Sequence, residues 1–325
     1  MKESDIRPAA LFDEYLRLCE KDARSYFAAV PRTPVSCPVC DTPGTPAFTK
    51  SGFSYDVCAR CDSLYVSPRP AADAFEAYYT TAPSSKYWAT TFYRETAAAR
   101  RELLWRPKAE LVADKVATLC SRDCAIVDVG GGYGLFAEEI RGLTSGEVVV
   151  IEPAPHLAEI CRSKALRVVE KFLEHVEPAD LPKRPSAFVS FELFEHLHDP
   201  RRFLQRMHQL MAGGDLFIFT TLSGTGLDIQ LLWERSKSVC PPHHLNFLNP
   251  RSMATLLVRV GFEVIEITTP GKLDIDIAAT GAELVTDRFW RTFLRYADES
   301  ARAEWQQIIA STGWSSHMMI TCRKP

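Results

Sequence analysis

Two short apolar runs in the middle of the chain alternate with a helical pattern. The first run, residues 126–129, is rich in β-branched side chains, as expected of a strand that is buried on both faces. Leu135, Phe136 and Ile140 then recur at helical spacing. A second run, "EVVVIEP", predicts another strand that ends at Glu152. The order of strand, glycine-rich turn, helix and strand predicts an α/β fold with a parallel sheet.

A further helical pattern lies near the end of the chain, within residues 270–313. The apolar side chains that recur there at helical spacing are Phe289, Trp290, Phe293, Leu294 and Trp305. The later "HMMITC" is predicted to be the last strand of the sheet. Since a tight hairpin would suffice to reach that strand, we interpret residues 270–313 as a helical insertion. The insertion either caps a pocket or forms the interface of a homodimer, and the sequence leaves both open.

The overall composition argues against some classes of protein. The 325 residues include 38 Lys and Arg and 41 Asp and Glu, for a formal net charge of -3. The chain therefore has no basic field that would draw it to nucleic acid or to anionic lipid. The first residues lack the apolar run of a signal peptide, and no later run approaches the roughly 18 apolar residues of a membrane span. We expect a cytoplasmic protein that binds a small molecule, with no membrane or nucleic-acid partner.

Four of the ten cysteines are spaced like metal ligands. Cys37 and Cys40 form one C-x2-C pair, and Cys58 and Cys61 form a second pair 17 residues later. This spacing is typical of tetrahedral zinc sites. Because four thiolates leave no open coordination position, the sequence predicts a structural zinc ribbon over residues 36–70.

The segments on either side of the ribbon have different characters. Residues 1–35 are expected to form a helical segment. Residues 71–100 are rich in Tyr, Trp and Phe, and we interpret them as an aromatic linker or lid. Their rings either line the mouth of a pocket or pack the ribbon onto the next domain. The ribbon carries only Lys50 and, at its edge, Arg60, which is a poor surface for binding phosphates.

A glycine motif lies between the first strand and its helix. Gly130, Gly132 and Gly134 form G-x-G-x-G, and the absence of side chains lets a ligand lie against the backbone. Glu152, at the end of the second strand, has the spacing at which a carboxylate binds both hydroxyls of a ribose. A nicotinamide-binding Rossmann unit is the alternative, but its usual G-x-G-x-x-G motif would place the third glycine at position 135.

Together with Asp128, these residues resemble the signature of the class I S-adenosylmethionine-dependent methyltransferases, in which a strand ending in Asp precedes G-x-G-x-G and an acidic residue follows the next strand. The resemblance implies a doubly wound, seven-stranded, mostly parallel sheet over residues 101–325, with S-adenosylmethionine as the cofactor. The residues that it assigns to the cofactor are Asp128, Gly130, Gly132, Gly134 and Glu152. Many family members have Gly-Asp after strand three to bind the adenine. This chain has Lys171-Phe172 there, so we expect adenine to pack against Phe172 or to bind backbone groups.

The stretch "FELFEHLHDP" follows predicted strand four, whose end lies beside the cofactor methyl group in this fold. If residues 192–197 form a helical turn, Glu192, Glu195 and His196 share one face. This E-x-x-E-H trio is similar to one that binds a divalent cation in ubiquinone-pathway O-methyltransferases and small-RNA 3′-terminal 2′-O-methyltransferases. Those enzymes add a later histidine, for which His243 and His244 are the candidates. The resemblance thus implies a Mg or Mn site at the active site.

Three roles are open for this trio: a general base or substrate contact, a metal site, and structural hydrogen bonding of buried groups. A methyl group bound to a sulfonium needs no protein nucleophile, because the cofactor is already activated. The protein has to align donor and acceptor and, for a hydroxyl or a carbon acid, to remove a proton. Asp199 and Pro200 are interpreted as the N-cap and the first residue of the next helix.

We therefore expect a methyltransferase that acts on a small cytosolic metabolite, with O-methylation as the main hypothesis. One alternative is C- or N-methylation of a nucleotide-linked sugar or another natural-product intermediate, because some bacterial enzymes that methylate such sugars also join a zinc-binding N-terminus to a methyltransferase core. An RNA methyltransferase that uses its ribbon and an inactive scaffold that only binds the cofactor are further alternatives.

Overall fold

A sheet of seven strands forms the centre of the protein. The computed structural model describes residues 1–325. The strands of the sheet, numbered in chain order, are β1 (Ala125–Val129), β2 (Val148–Ile151), β3 (Arg167–Val169), β4 (Ser186–Phe191), β5 (Leu216–Leu222), β6 (Glu263–Thr268) and β7 (His317–Arg323). Their spatial order is β6-β7-β5-β4-β1-β2-β3. All neighbours are parallel except β7, which is antiparallel to β5 and β6. The predicted doubly wound, seven-stranded sheet is confirmed.

Helices cover both faces of the sheet. Ile126 lies in one hydrophobic core and its neighbour Val127 in the other. Because both faces are buried, the strands are continuous apolar runs rather than alternating ones. Asp199 caps the helix after β4 by accepting a hydrogen bond from the Arg202 N–H at 3.0 Å, as predicted. The main helices around the sheet are Arg106–Leu119, Leu135–Arg141, Pro155–Ser163, Pro200–Leu210 and Pro250–Val260.

The four-cysteine segment is a small antiparallel sheet that a strand from much later in the chain completes. The strands of the segment itself are Thr45–Lys50, Phe53–Val57 and Leu64–Val66. The fourth strand is Asn246–Phe247, which pairs with Tyr65 and Leu64. A separate pair of short strands, Arg32–Thr33 and Arg69–Pro70, flanks this sheet. The sequence did not indicate that the ribbon and the large domain share a sheet.

Hydrogen bonds and ion pairs of side chains also join the ribbon to the large domain. Arg69 is buried and donates hydrogen bonds to the Asn246 side-chain oxygen at 3.0 Å and to the His198 carbonyl oxygen. Asp41, between the first two cysteines and the hairpin, forms ion pairs with Arg201 and Arg259. The ribbon is thus packed on the helices that contain those two arginines.

The N-terminal and aromatic segments are both helical. The expected N-terminal helical segment contains Glu3–Ile6 and Ala9–Phe27. The segment that we interpreted as a linker or lid is also helical, with its rings packed on the N-terminal helix: Tyr15 lies 4.7 Å from Trp88 between ring centroids. The helices after the ribbon are Ala72–Thr81, Pro83–Tyr87 and Tyr93–Arg100, with π-helical turns at Trp88–Phe92 and Arg101–Trp105.

Three helices form the insertion between β6 and β7, in agreement with the predicted helical pattern. They are Asp274–Thr280, Arg288–Tyr296 and Glu299–Ser311. A small hydrophobic core joins them to the helix Leu227–Leu232 that follows β5. No helix of the protein combines the length and the apolar character needed to cross a membrane.

Candidate active site

The glycine motif forms a tight turn at the end of β1. Gly130 has a φ of +75°, in the left-handed region that favours glycine. A Cβ atom at this position would also lie 2.9 Å from Leu193 Cδ2, so any side chain would collide with the segment after β4. The contact brings the β4 end against the glycine loop. The residues of the motif and those after β4 therefore border the same edge of the sheet.

Two acidic residues lie behind this loop. Glu152, only 5% exposed, accepts hydrogen bonds from the Gly132 N–H and the Ala154 N–H, both at 2.9 Å. Asp128 is 2% exposed, and its Oδ2 atom has no hydrogen-bond partner. Burial, reinforced by the charge of Glu152, raises the pKa of Asp128 to about 7. Both carboxyl groups are thus held beside the loop with hydrogen-bonding capacity left for a ligand.

Phe172 follows β3, so it lies at the edge of the sheet where the parallel strands end. Its side chain is 50% exposed, which is unusual for a large apolar ring. The ring lies 6.5 Å from that of His175. An exposed aromatic face at this position is consistent with the expectation that adenine packs against it, and that role stays a prediction.

The chain leaves β4 in a way that the sequence did not indicate. Glu192 has a φ of +54°, which residues other than glycine rarely adopt. Only Phe194–His196 form a helical turn, and it is of the 3-10 type. The prediction that Glu192 shares one helical face with Glu195 and His196 is therefore wrong. Backbone strain of this kind is often found at functional sites.

Glu192 instead lies among groups from three other elements. Its Oε1 atom accepts a hydrogen bond from the Thr220 hydroxyl at 2.8 Å, and it lies 3.4 Å from Lys108 Nζ and 3.6 Å from His317 Nδ1. Burial raises the pKa of Glu192, but His317, Lys108 and the Thr220 hydroxyl outweigh burial and hold the pKa well below its usual range. Glu192 is thus a fixed negative charge at the sheet edge.

Glu195, His196 and His244 form a separate group. Each side chain has one potential metal-ligand atom that lies within 4.8 Å of those of the other two. Glu195 is 1% exposed, and its Oε2 atom accepts a hydrogen bond from the Thr221 hydroxyl at 2.9 Å. Burial, together with the charge of Glu192, raises the pKa of Glu195 to about 8. Glu195 therefore keeps a proton at neutral pH unless a cation displaces it.

Both imidazoles of this group are neutral. Burial lowers the pKa of His244 to about 4, and its Nδ1 atom lies 2.5 Å from the Ser238 carbonyl oxygen. Burial, followed by the neighbouring histidines, also lowers the pKa of His196 well below its usual range. The His196 Nδ1 atom lies 3.4 Å from the Tyr79 hydroxyl. Each ring can therefore offer a free lone pair to a proton or a metal ion.

His243 is not part of this group. Its Nε2 atom is hydrogen-bonded to the Tyr78 hydroxyl, and its ring is 5.1 Å from that of Tyr78. Burial lowers the pKa of His243 to about 3. The sequence analysis left both His243 and His244 as candidates for the later histidine of the site. Neither is exposed, and it is His244 that joins Glu195 and His196.

The sequence reasoning missed Lys108, Thr220 and His317, although all three surround Glu192. Lys108 lies in the helix before β1, and Thr220 is in β5. His317 is the first residue of β7, and it pairs with Leu222 near the end of β5. An antiparallel last strand begins where its parallel neighbours end, so the predicted strand "HMMITC" could have placed this histidine at the functional edge.

The four cysteines converge as their spacing predicts. Their Sγ atoms all lie within 4.8 Å of one another, and those of Cys37 and Cys61 are 3.6 Å apart. Four sulfur atoms bound to one zinc at about 2.3 Å would be about 3.8 Å apart, so this arrangement fits a tetrahedral ion. A backbone hydrogen bond closes the turn at each C-x2-C pair. The Asp41 N–H donates to the Cys37 carbonyl oxygen, and the Asp62 N–H donates to the Cys58 carbonyl oxygen. The group could hold zinc.

Comparisons with known proteins agree with this geometry. A family model described as a methyltransferase domain matches residues 96–267. Over 110 residues the chain is 26% identical to the mitochondrial ubiquinone biosynthesis O-methyltransferase of Dictyostelium discoideum, an alignment that covers 29% of this chain and 34% of that protein. The chain thus matches about a third of the length of that relative.

Two solved structures of methyltransferases are similar to this chain to different degrees. The plantazolicin methyltransferase BpumL, in complex with a monoazolic desmethylPZN analog and SAH, is similar with a TM-score of 0.50 and 10% identity, over 77% of this chain and 93% of that one. The 1,6-didemethyltoxoflavin-N1-methyltransferase of Burkholderia thailandensis has a TM-score of 0.48 and 12% identity, over 86% and 98% of the two chains. At 10% identity, the likeness to BpumL concerns the fold alone.

The sheet order, the glycine loop with its acidic residues and these matches define an S-adenosylmethionine-dependent methyltransferase. Within that class, the chain belongs to the methyltransferase-domain family whose model covers more than half of its length.

Proposed function

We propose that the protein transfers the methyl group of S-adenosylmethionine to a hydroxyl group of a small molecule. The observation that carries this proposal is the group formed after β4 by the buried Glu195 with the partly buried His196 and His244. Leu193, which contacts the glycine loop, is two residues away from this group. A hydroxyl must lose its proton as it is methylated, and neutral imidazoles beside the cofactor can assist that loss.

The donor set fits a divalent cation. Glu195 offers a carboxylate, while His196 and His244 offer two imidazoles. His244 contacts the Ser238 carbonyl through Nδ1, and a backbone partner of this kind often orients a metal-binding ring. Mg²⁺ prefers oxygen ligands, whereas imidazole suits transition metals, so Mn²⁺ fits better than Mg²⁺. A bound cation would lower the pKa of an acceptor hydroxyl.

The other residues of the site have complementary roles in this proposal. The loop with Gly130, Gly132 and Gly134 holds the methionine part of the cofactor, Glu152 binds the ribose hydroxyls, and Phe172 packs on the adenine. Asp128 supports the loop from below. No side chain acts as a nucleophile, because the cofactor is already an activated electrophile; alignment of donor and acceptor supplies most of the rate.

We also propose that the four cysteines hold a structural zinc ion. The closed set of four thiolates leaves no position for a substrate. The role of the ion is to hold together the two C-x2-C turns at one end of the small sheet.

The contacts of Lys50 favour a small molecule over RNA. Its Nζ atom donates a hydrogen bond to the Ser236 carbonyl oxygen at 2.7 Å, and its side chain is partly buried. Burial lowers the pKa of this lysine. A lysine that is engaged in this way contributes little to a phosphate-binding surface on the ribbon.

The test is to replace His196 with asparagine and to supply labelled cofactor with a panel of hydroxylated small molecules. We expect the His196→Asn variant to bind S-adenosylhomocysteine with unchanged affinity, while turnover falls by about 100-fold or more, the usual effect of losing such a group. The control is His208→Asn, because His208 packs on Phe262 away from this group. Wild-type turnover in His196→Asn, or a product methylated on nitrogen or carbon, would contradict the proposal.

Chelation distinguishes the two chemical roles of the histidines. After brief treatment with EDTA, we expect turnover to fall and to recover with added Mn²⁺, while elemental analysis shows that the cysteine-bound zinc is retained. Turnover that persists without any added cation would mean that His196 acts as a general base instead.

A further inference from the structure

A buried arginine without a carboxylate partner lies beside aromatic rings that pack on the glycine loop. Arg100, the last residue of the helix Tyr93–Arg100, is 7% exposed. Its Nε atom is buried without a hydrogen-bond partner, and no carboxylate oxygen lies within 4.0 Å of its guanidinium. A buried charge is costly unless another group pairs with it. The chain itself therefore leaves Arg100 without an anionic partner.

Aromatic rings connect Arg100 to the cofactor loop. Its guanidinium carbon lies 5.2 Å from the centroid of Tyr93 and 5.9 Å from that of Trp88. Tyr93 in turn stacks on Tyr133 of the glycine loop at 4.6 Å, with the planes inclined by 13°. Contacts with ring faces offset part of the cost of burying the guanidinium, but they bring no negative charge.

Two more cations lie in the same region. Lys108 has one weak contact with a carboxylate, at 3.4 Å from Glu192. Arg7, from the N-terminal segment, has only a loose contact with Glu3 at 3.6 Å. Burial lowers the pKa of Arg100, and the charge of Arg7 acts in the same direction, whereas Tyr93 and Glu192 act against it.

The nearby carboxylates are engaged with other groups. Glu192 accepts a hydrogen bond from the Thr220 hydroxyl and lies 3.4 Å from Lys108, and Glu3 lies 3.6 Å from Arg7. Neither carboxylate forms an ion pair with Arg100. A neutral or cationic acceptor would leave the buried guanidinium of Arg100 without a negative charge beside it.

We propose that the acceptor is an anion and that Arg100 binds its carboxylate or phosphate group. A guanidinium matches either group with two parallel hydrogen bonds. The role of the bound group as acceptor rests on the proposed function, but its binding does not. The other possible source of the anion is the carboxylate of the cofactor itself, and the experiment separates the two.

The experiment measures binding to the 325-residue protein, purified without chelators and saturated with S-adenosylhomocysteine. Benzoate and phenyl phosphate serve as anionic probes, and benzamide serves as a neutral probe of similar shape. By calorimetry, we expect at least one of the two anions to bind at least tenfold more tightly than benzamide. Arg100→Gln should remove that preference while the affinity for S-adenosylhomocysteine stays within about twofold of wild type. Arg94→Gln is the matched control, because Arg94 is on the same helix but exposed and paired with Glu95.

Two results would overturn the proposal. If neither anion binds better than benzamide, the site does not select an anion. If Arg100→Gln weakens S-adenosylhomocysteine tenfold or more, the partner of Arg100 is the carboxylate of the cofactor. Selective binding of the anions without methylation of any hydroxyl compound would instead contradict the O-methylation proposal and leave this one intact.

Unfolding of the protein without ligands provides a second measurement. Because Arg100→Gln removes an uncompensated buried charge, we expect the variant to unfold at the same denaturant concentration as wild type or at a higher one. A lower midpoint would show that the aromatic contacts outweigh the cost of burying the charge, which would contradict the premise that Arg100 needs an anion from outside the chain.

Discussion

At the scale of single residues, the carboxylate of Glu152 is held in place by the backbone around it. Its two oxygen atoms each accept a backbone hydrogen bond, from Gly132 and from Ala154, while burial raises its pKa. These bonds fix the carboxylate under the glycine loop and leave its other lone pairs for ribose hydroxyls. The same side chain thus shapes the loop and is proposed to bind the cofactor.

Replacement of Glu152 by glutamine tests this role. The amide keeps the shape but loses the charge and one acceptor, so we expect the affinity for S-adenosylhomocysteine to fall tenfold or more, which is about 1.4 kcal/mol. Calorimetry measures the change. Glu147→Gln is the control, because Glu147 is near the other end of β2 and pairs with Arg167. Equal affinities for Glu152→Gln and wild type would rule out the ribose contact.

The residues around the active site differ in how far the sequence could predict them. Asp128 and Glu152 end apolar runs, so their positions follow from the strands alone. The left-handed conformation of Glu192 depends on how the segment after β4 packs against the glycine loop, and no local pattern encodes it. Arg100 and His317 are distant in sequence from Glu192, and only the tertiary fold brings them near it.

At the scale of secondary-structure elements, a buried carboxylate joins the insertion to the sheet. Asp274, at the start of the helix Asp274–Thr280, accepts hydrogen bonds from the Ser315 hydroxyl at 2.7 Å and the Ser316 N–H at 2.6 Å, just before β7. Asp228, in the helix after β5, is fully buried, and neither of its carboxyl oxygens has a hydrogen-bond partner. Burial and the charge of Asp274 raise the pKa of Asp228 to about 7.

This pair predicts a pH dependence of stability. The unfolded chain ionises Asp228 near its usual pKa of about 4, whereas the folded chain keeps the proton up to about pH 7. The folded state therefore loses stability as the pH rises from about 4 to about 7, and little changes above that range. The Asp228→Asn variant lacks this titration. Its free energy of unfolding, relative to that of wild type, should therefore be higher at pH 8 than at pH 5 by at least about 1 kcal/mol.

Denaturant unfolding at the two pH values measures the effect. Asp287→Asn is a suitable control, since Asp287 is an exposed N-cap in the same insertion. If the difference between Asp228→Asn and wild type is the same at pH 5 and pH 8, the carboxyl group is ionised in the folded protein and the interpretation is wrong.

The elements themselves were predictable where their apolar pattern is long. The central strands follow from their continuous apolar runs, and the last two helices of the insertion follow from their helical periodicity. The aromatic segment of residues 71–100 gave no clear period, because its rings pack in several directions on the helix Ala9–Phe27. The strand Asn246–Phe247 has two residues, too few for any alternation to be visible, and its pairing depends on the fold of the ribbon.

At the scale of the whole molecule, a short strand joins the four-cysteine sheet to the segment that contains His244. The strand Asn246–Phe247 of the ribbon sheet begins two residues after His244. If the cysteines hold zinc as proposed, loss of the ion should loosen this sheet and displace the histidine. We therefore expect zinc binding to stabilise the position of His244.

We expect Cys58→Ser to lose zinc and to lower the free energy of unfolding by at least about 2 kcal/mol, because binding to a structural site adds directly to folding. Affinity for added Mn²⁺ should fall in the same variant, while Cys120→Ser, outside the cluster, retains both properties. The measurements are elemental analysis, denaturant unfolding and calorimetry with Mn²⁺. Unchanged Mn²⁺ affinity in zinc-free protein would show that the two sites are independent.

The shared sheet also decides how the chain can be cut and recombined. Residues 36–70 look like a module in the sequence, but their sheet is complete only with a strand that lies about 180 residues further on. A fragment that begins at residue 101 would expose an unpaired edge, and a ribbon transplanted from a relative would meet a foreign partner strand. Chimeras should therefore fold only when the ribbon and the segment around residues 240–249 are exchanged together, and natural variation in the two is expected to be inherited as a unit.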